Sequence, residues 1–305
     1  MKISRREFSK TAFAAGALLV GGGPAAFAGP AGVIRRPIPS TGEMIPIIGL
    51  GTNRYGVGGS EEARAPLKEV LARFHEWGGT VIDTAPSYRT SESVLGDLMA
   101  ELSMRDDMFV ATKVDKENPG DVDDQIRDSQ SKLRTESFEL IQVHNVRYWQ
   151  TSLPVLRDWK EKGLVRYTGI TTSRSSEYEE LEKAMKAEEM DFVQLNYSLE
   201  QRGSAERLLP LAADRGIAVI VNRAFGGGRI FKAVGDQPLP NWAKELGMTS
   251  WAQFLLKYAL SHPAATVAIP GMTKVRHVDD NFGASHGPMP DAAQRAKMEA
   301  FYEAL

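Results

Sequence analysis

The feature that most constrains the fold is an eightfold alternation of short apolar runs with amphipathic segments of helical period. The apolar runs, which are the strand candidates, lie at 47–51, 80–82, 108–111, 140–143, 165–169, 192–195, 217–221 and 266–269. Parallel strands cannot be joined by tight turns, so strands that alternate with helices favour a parallel sheet with helical crossovers. Eight such units over roughly 250 residues predict an α/β fold, a single-domain (β/α)8 TIM barrel.

A doubly wound, dinucleotide-binding sheet is the main alternative for the same alternation. That fold carries a Gly-x-Gly-x-x-Gly fingerprint in the turn after its first strand. The nearest match is the run from Gly49 to Arg54, which ends in arginine where the third glycine belongs. The barrel is therefore the favoured interpretation.

Charge and composition exclude several kinds of function. The formal net charge is -2, and both signs are spread along the 305 residues, which is not typical of a nucleic-acid-binding protein. The chain has no cysteine, which excludes disulfides, thiol nucleophiles and iron–sulfur clusters. His75, His262 and His286 have no partners at metal-ligand spacing, so no metal site is predicted. Redox chemistry would therefore require a bound organic cofactor.

Residues 1–28 have the order of a signal peptide. Arg5 and Arg6 precede an apolar run that ends in Ala26-Phe27-Ala28, a small-x-small cleavage pattern. The run is too short and too glycine-rich for a good membrane span. It resembles a twin-arginine signal, whose pathway exports folded proteins.

These features predict a signal at 1–28, a lead-in segment at 29–45 and the barrel at 46–305. They also predict the twin-arginine (Tat) export machinery as a partner, a periplasmic or otherwise exported location, and no permanent membrane span.

Polar side chains stand at the ends of the second, third and fourth predicted strands. Asp83 follows an apolar pair, Tyr88 lies in the next loop, Lys113 ends the run FVATK, and His144 follows ELIQV. Strand ends of a parallel barrel meet at one rim. Each residue alone also has a structural explanation, as a helix cap, rim tyrosine, surface lysine or core histidine. Together they are better explained by a reaction site, because a buried lysine and histidine need partners and Asp83 can pair with Lys113.

The four side chains suit the reduction of a carbonyl group. A tyrosine is a poor proton donor at neutral pH, and Lys113 is expected to lower the pKa of Tyr88. Asp83 would hold the lysine charged, and His144 would orient the carbonyl oxygen that Tyr88 protonates. Such a reaction needs a hydride but no protein nucleophile, so the hydride donor is predicted to be a nicotinamide.

The chain resembles the aldo-keto reductase superfamily from Gly49 to Asn281. The motifs that carry the resemblance are an aspartate in a DTAxxY context, a lysine in ATK, a histidine after LIQV, and IPG followed by a basic run that ends in asparagine. The resemblance implies an NAD(P)H-dependent barrel with a catalytic tetrad. The tetrad residues would be Asp83, Tyr88, Lys113 and His144.

The resemblance also assigns contacts to the cofactor. It implies that Gln194 contacts the nicotinamide carboxamide and that Asp280 and Asn281 hold the adenine. Other positions differ from the commonest family pattern. Thr171-Thr172 stand where Ser-Asn is frequent and still offer a hydroxyl to the carboxamide. Asn222, followed by Arg223, stands where an aromatic usually stacks on the nicotinamide, and Arg89 replaces the glycine after the tyrosine.

Two further segments are candidates for binding the phosphates of the cofactor. Gly226 and Gly227, in a run of three glycines after the seventh strand, offer backbone N–H groups to a pyrophosphate, although a flexible loop without a ligand explains them equally well. A hydroxyl and positive charge at a helix N-terminus suit a 2′-phosphate, although a helix start that is merely basic explains them nearly as well. These residues are Thr273, Lys274, Arg276 and His277. This favours NADPH over NADH.

Two functions remain open at this point. The first is an exported NADP-dependent aldo-keto reductase that reduces a small-molecule aldehyde or ketone to an alcohol. The second is a nicotinamide-nucleotide-binding sensor or accessory subunit with slow turnover. The intact tetrad favours the enzyme, whereas the altered nicotinamide contacts and the export signal favour the sensor or a cofactor that is exported already bound.

Overall fold

The computed structural model describes residues 32–305, and the predicted signal peptide at 1–28 lies outside them. The strands of the described part are β1 (Arg35–Pro37), β2 (Met44–Pro46), β3 (Leu50–Gly51), β4 (Val81–Asp83), β5 (Phe109–Val114), β6 (Phe138–Val143), β7 (Val165–Thr171), β8 (Phe192–Asn196), β9 (Ala218–Asn222) and β10 (Ala265–Ala268). The helices are α1 (Glu61–Glu76), α2 (Ser91–Glu101), α3 (Pro119–Leu133), α4 (Trp149–Glu161), α5 (Tyr178–Ala187), α6 (Leu208–Asp214), α7 (Arg229–Val234), α8 (Asn241–Glu245), α9 (Trp251–Leu260), α10 (Val275–Gly283) and α11 (Ala292–Glu303).

Strands β3 to β10 form one parallel sheet in chain order. The first and last strands of this sheet also meet. Gly49 N donates to Ala268 O at 2.8 Å, Ala268 N donates to Ile47 O at 2.9 Å, and Gly51 N donates to Pro270 O at 3.1 Å. Because both edges are paired with each other, the sheet closes into a barrel. The predicted (β/α)8 fold is confirmed, and the open doubly wound sheet is wrong.

Helix α1 illustrates why the segments between strands are helical. The Ser60 hydroxyl accepts a hydrogen bond from Ala63 N and caps the first turn, which is acidic. The buried side chains then recur at the spacing of one helical face: Leu67, Val70, Leu71 and Phe74. This face packs on the outside of the barrel.

The predicted lead-in segment contains a β-hairpin that sequence reasoning did not anticipate. Strands β1 and β2 pair antiparallel, and Ile38 and Ile45 are buried in the apolar cluster at the amino-terminal end of the barrel. The Arg36 guanidinium donates to the carbonyls of Leu260, at 2.6 Å, and Ala265. The hairpin therefore closes the barrel at the end opposite the strand C-termini. Pro37 is tolerated at the end of β1 because it is exposed, at a position where no ladder donor is needed.

The barrel interior is apolar toward the amino-terminal ends of the strands and polar toward their carboxyl-terminal ends. Side chains alternate between the two faces of a strand, so every second residue of β5 points inward: Phe109, then Ala111, then Lys113. The Phe109 ring packs against the rings of Tyr167 and Phe192, with centroids 5.8 Å away in both cases. This apolar layer fills the amino-terminal half of the barrel, and the functional side chains lie at the carboxyl-terminal rim.

No helix within residues 32–305 is both long enough and apolar enough to cross a membrane.

Candidate active site

Lys113 and Asp83 form a buried ion pair in the top layer of the barrel. Lys113 Nζ lies 2.9 Å from Asp83 Oδ1, 2.8 Å from Asp83 Oδ2 and 2.7 Å from the carbonyl oxygen of Thr84. The side chains are 1% and 3% exposed, respectively. The pairing expected from the sequence is therefore present. Burial opposes the charge of Lys113, but Asp83 and Tyr88 outweigh it, and the pKa of Lys113 lies above its usual range.

Two amides also hold the Asp83 carboxylate. Gln194 Nε2 donates to Asp83 Oδ1 at 2.9 Å, and Gln142 Nε2 is 3.4 Å from the same oxygen. In this structure Gln194 therefore hydrogen-bonds to Asp83, and its contact to a nicotinamide carboxamide stays a prediction. Sequence reasoning missed Gln142, although it stands two residues before His144 and strand alternation was a signal that could have found it.

Tyr88 lies half-buried above the ion pair. Lys113 Nζ is 5.1 Å from the centroid of the Tyr88 ring. The charge of Lys113 lowers the pKa of Tyr88, as expected, but burial and the Asp83 carboxylate raise it by more. The pKa of Tyr88 is therefore above its ordinary value. The expected net lowering is wrong, because the sequence could not weigh burial and Asp83 against the ammonium.

His144 borders Tyr88 on the other side. The two rings meet edge to face with centroids 6.1 Å apart, and His144 Nδ1 lies 3.5 Å from Ser87 Oγ. Burial and then the charge of Lys113 lower the pKa of His144 to about 4. The imidazole is therefore neutral at pH 7, with one ring nitrogen as donor and the other as acceptor.

The loop that carries Tyr88 is supported by the loop after β3. Thr90 Oγ1 donates to the carbonyl oxygen of Val57 at 2.7 Å. Gly56 lies so close that a Cβ there would stand 2.4 Å from the carbonyl oxygen of Tyr88 and 2.9 Å from the Cβ of Arg89. Only glycine fits this approach, and the position of Tyr88 depends on it.

The residues proposed to bind the nicotinamide lie at the exits of β7 and β9. Asn222 Nδ2 donates to Thr172 O at 2.9 Å, which orients the amide and leaves Asn222 Oδ1 buried without a partner among the described residues. The Thr172 hydroxyl donates to Glu177 Oε2 at 2.6 Å rather than remaining free, whereas Thr171 Oγ1 accepts from Asn145 N at 3.0 Å. An orphaned buried acceptor of this kind fits a ligand that carries an amide N–H.

The glycine run after β9 forms an open cradle. Gly226, Gly227 and Gly228 have φ values of +57°, +68° and +91°, which glycine adopts without strain. A Cβ at Gly227 or Gly228 would meet nothing within 4 Å. The flanking Arg229 is held by Glu200, with Nε to Oε1 at 2.8 Å. The loop therefore has the room and the exposed backbone that a pyrophosphate requires.

The remaining predicted cofactor residues surround helix α10. Lys274 precedes its first residue and is exposed, Thr273 is half-buried beside it, and His277 lies in the first turn. Asp280 accepts from Gln253 Nε2 at 3.0 Å, and Asn281, on the next position, is 3% exposed. Their roles toward a 2′-phosphate and an adenine stay predictions.

Among residues 32–305, no group of three or more His, Asp or Glu side chains is arranged to hold a metal ion.

The closed barrel, with a buried lysine–aspartate pair under a tyrosine and a neutral histidine, has the architecture of a barrel oxidoreductase. The chain belongs to the aldo/keto reductase family, whose sequence model matches residues 47–303. Among curated relatives, aldo-keto reductase YhdN of Bacillus subtilis is 26% identical over 205 residues, which are 60% of this chain and 60% of that protein. The NADH-specific methylglyoxal reductase of Escherichia coli is 25% identical over 241 residues, which cover 68% of this chain and 72% of the relative.

Solved structures share the fold. An aldo-keto reductase from Klebsiella pneumoniae in complex with NADPH superimposes with a TM-score of 0.73 at 24% identity, over 86% of this chain and 92% of that one. The thermostable aldo-keto reductase Tm1743 in complex with the inhibitor epalrestat gives a TM-score of 0.73 at 23% identity, over 88% and 99% of the two chains.

Proposed function

We propose that the protein is an NADPH-dependent reductase that converts a small aldehyde or ketone to an alcohol. The observation that carries this proposal is the position of Tyr88. Its ring lies beside the Lys113 ammonium at 5.1 Å and against the neutral His144 ring at 6.1 Å, in the mouth of the barrel. A phenol flanked by a fixed cation and a neutral hydrogen-bond donor is suited to giving a proton to a carbonyl oxygen.

Each side chain has a distinct part in this chemistry. A bound nicotinamide would supply the hydride that the carbonyl carbon receives. Tyr88 gives its proton to the carbonyl oxygen, and its raised pKa keeps it protonated until then. Lys113 stabilises the phenolate that remains, and Asp83 keeps Lys113 charged. His144, neutral at pH 7, donates an N–H to the carbonyl oxygen and stabilises the charge that develops there.

The residues of the chain fit a nicotinamide dinucleotide at the exits of β7 to β10. The orphaned Asn222 Oδ1 suits the carboxamide, and the open glycine cradle suits the pyrophosphate. The choice of NADPH rests on Lys274, Arg276 and His277 at the start of α10, which offer positive charge and hydrogen bonds to a 2′-phosphate. One relative is named as NADH-specific and one similar structure contains NADPH, so the family itself leaves the choice open.

The proposal is tested by the turnover of Tyr88→Phe. Purified protein should oxidise NADPH in the presence of simple aldehydes, and Tyr88→Phe should lower kcat roughly 10²-fold or more while cofactor affinity stays the same. A matched control is Tyr167→Phe, which alters a tyrosine of the apolar layer at the amino-terminal end of the barrel, away from the site. Equal turnover in Tyr88→Phe and wild type would contradict the assignment. Cofactor binding without turnover in the wild type would favour the sensor function instead.

We also propose that the chain is exported through the twin-arginine pathway, on the strength of Arg5, Arg6 and the apolar run that follows. Because that pathway carries folded cargo, the protein would bind its cofactor before it leaves the cytoplasm. Fractionation of cells that produce the wild type or Arg5→Lys with Arg6→Lys tests both points, with bound nucleotide assayed in each fraction. Export of the double variant would overturn the pathway, and export of a cofactor-free wild type would overturn the carried cofactor.

A further inference from the structure

Two arginines at the mouth of the barrel adopt backbone conformations that favour glycine. Arg89 has φ +56° and Arg223 has φ +50°. Both side chains are exposed, and each stands in the loop directly after a barrel strand, Arg89 after β4 and Arg223 after β9. A left-handed conformation strains a residue that has a Cβ. Non-glycine residues held in this way cluster at ligand-binding and active sites.

Each arginine is related to Tyr88, one by its position in the chain and the other by its charge. Arg89 is its neighbour in the chain. Behind the larger effects of Lys113, burial and Asp83, the positive charge of Arg223 lowers the pKa of Tyr88. The charge of Arg223 thus acts on the phenol that the proposed function places at the reacting carbonyl, and Arg89 follows that phenol directly in the chain.

Neither Arg89 nor Arg223 forms a salt bridge within residues 32–305. Several other cations near the site are paired, whereas the exposed Arg54 and Lys116 also form no salt bridge among the described residues. Arg147 NH1 lies 3.8 Å from Asp115 Oδ2, and Arg174 NH1 lies 3.3 Å from Glu177 Oε1. Lys113 and Arg229 are paired with Asp83 and Glu200, respectively. Arg89 and Arg223 therefore carry positive charges that no carboxylate of the described residues compensates, in a chain whose formal net charge is -2.

The opposite side of the Tyr88 loop is acidic. A cavity of about 580 Å³ next to Pro86 and Ser87 is lined by one cation, Lys116, by Gln125, and by four carboxylates, which are those of Asp115, Asp121, Asp124 and Asp128. Like charges repel an anionic ligand from that side. We therefore expect a negative group to bind more favourably at Arg89 and Arg223 than on this side of the Tyr88 loop.

We propose that the substrate is a carbonyl compound with a second, anionic group, a carboxylate or a phosphate, which Arg89 and Arg223 bind beside Tyr88. This substrate class rests on the proposed reductase function. A guanidinium presents planar, paired donors that match the oxygens of either anion. In the reaction, the carbonyl carbon gains the hydride from the nicotinamide and its oxygen gains the proton of Tyr88. The anionic group is unchanged and serves only to position the carbonyl.

The experiment compares charged and neutral substrates of nearly the same shape. 4-Carboxybenzaldehyde is paired with methyl 4-formylbenzoate, and glyceraldehyde 3-phosphate is paired with glyceraldehyde. Values of kcat/KM are measured with NADPH for the wild type, Arg89→Ala and Arg223→Ala. Arg215→Ala is the control, since it removes an exposed arginine that lies just before β9, at the opposite end of the barrel.

We expect the wild type to prefer the anion of at least one pair by roughly tenfold or more, the usual worth of a charge-assisted hydrogen bond. Arg89→Ala and Arg223→Ala should each lower kcat/KM for the anion by more than for its neutral partner and so reduce that preference, whereas Arg215→Ala should leave the preference unchanged. The favoured pair distinguishes a carboxylate from a phosphate. No preference in either pair, or equal losses for both members of a pair, would overturn the proposal.

Two binding measurements distinguish this proposal from a cofactor role for Arg223 and from the proposed reductase function. The affinity for NADPH is measured for each variant, and a loss in Arg223→Ala with the substrate preference intact would assign Arg223 to the cofactor and overturn its role here. Calorimetric titration with benzoate, inorganic phosphate and benzamide tests the anion site without turnover. If no aldehyde is reduced but an anion binds in an arginine-dependent way, the proposed function fails and the anion site stands. If neither anion binds and no anionic substrate is preferred, the anion site is overturned.

Discussion

The Lys113 ammonium bridges both carboxylate oxygens of Asp83, at 2.9 and 2.8 Å, with both side chains almost completely buried. Such a pair stabilises the fold little in total, because the loss of solvation offsets the attraction. Removal of one partner is nevertheless strongly destabilising, because the partner that remains is a buried, uncompensated charge. The pair is therefore a requirement of the site more than a source of stability.

Removal of one partner of this pair should be costly. We expect Lys113→Met to lower the free energy of unfolding by about 3–5 kcal/mol, because Asp83 is left charged and buried. Lys113→Met combined with Asp83→Asn should lose less than the sum of the two single variants. Urea denaturation measures all three. As a control, Arg127→Ala breaks an exposed pair with Asp123 and should cost at most about 1 kcal/mol. Additive losses at Lys113 and Asp83 would contradict the coupling.

The approach of Gly56 to the Tyr88 loop leads to a matched pair of variants. Gly56→Ala would place a Cβ 2.4 Å from the carbonyl oxygen of Tyr88, so the loop must shift. We expect kcat to fall about tenfold to a hundredfold, since displacement of a catalytic group by 1 Å has effects of this size. Gly58→Ala, whose Cβ would meet nothing within 4 Å, should leave kcat unchanged. Steady-state kinetics measure kcat for both variants. Equal kcat values would contradict the dependence of Tyr88 on Gly56.

The low pKa of His144 predicts a loss of stability in acid. In the folded protein the imidazole stays neutral down to about pH 4. In the unfolded chain a histidine takes up a proton near pH 6.5. The unfolded state thus binds more protons between these values, and the free energy of unfolding falls as the pH drops from about 6.5 to 4.

His144→Gln should remove this contribution, so its free energy of unfolding should fall less between pH 7 and pH 5 than that of the wild type. His262, whose pKa burial and the charges of Arg295 and Arg36 lower to about 4, provides the control. His262→Gln should show the same reduced acid sensitivity but keep its turnover. Urea denaturation at both pH values and NMR titration of the histidines measure these effects. Titration of His144 near pH 6.5 in the folded protein would contradict the prediction.

Cofactor choice can be tested at the start of α10. Lys274→Ala with Arg276→Ala should weaken NADPH binding by roughly tenfold or more and leave NADH binding nearly unchanged, since only NADPH carries the phosphate these residues would meet. Lys183→Ala with Lys244→Ala removes the same charge from two exposed positions elsewhere and serves as control. Fluorescence titration provides the affinities. Equal losses for both nucleotides would mean that the basic segment does not recognise the 2′-phosphate.

Much of the fold and part of the site were predictable because they depend on local periodicity. Each of the eight barrel strands lies at a predicted apolar run, with boundaries that differ by a few residues at most. The hairpin of β1 and β2 was missed because strands this short carry no alternation. Gln142 was missed for another reason. Its spacing from His144 indicated the inner face of the barrel, but its role depends on the contact to Asp83, which only the structure shows.

The sequence by itself determined which residues reach the rim of the barrel. Strand alternation and the common direction of parallel strands place Asp83 and Lys113 in one layer, whatever the details of packing. Only the tertiary structure decided how these groups act on one another. Burial and Asp83 together outweigh Lys113 and raise the pKa of Tyr88, and Gln194 donates to Asp83. These outcomes depend on distances and solvent exposure among segments far apart in the chain, and electrostatic energies change steeply with both.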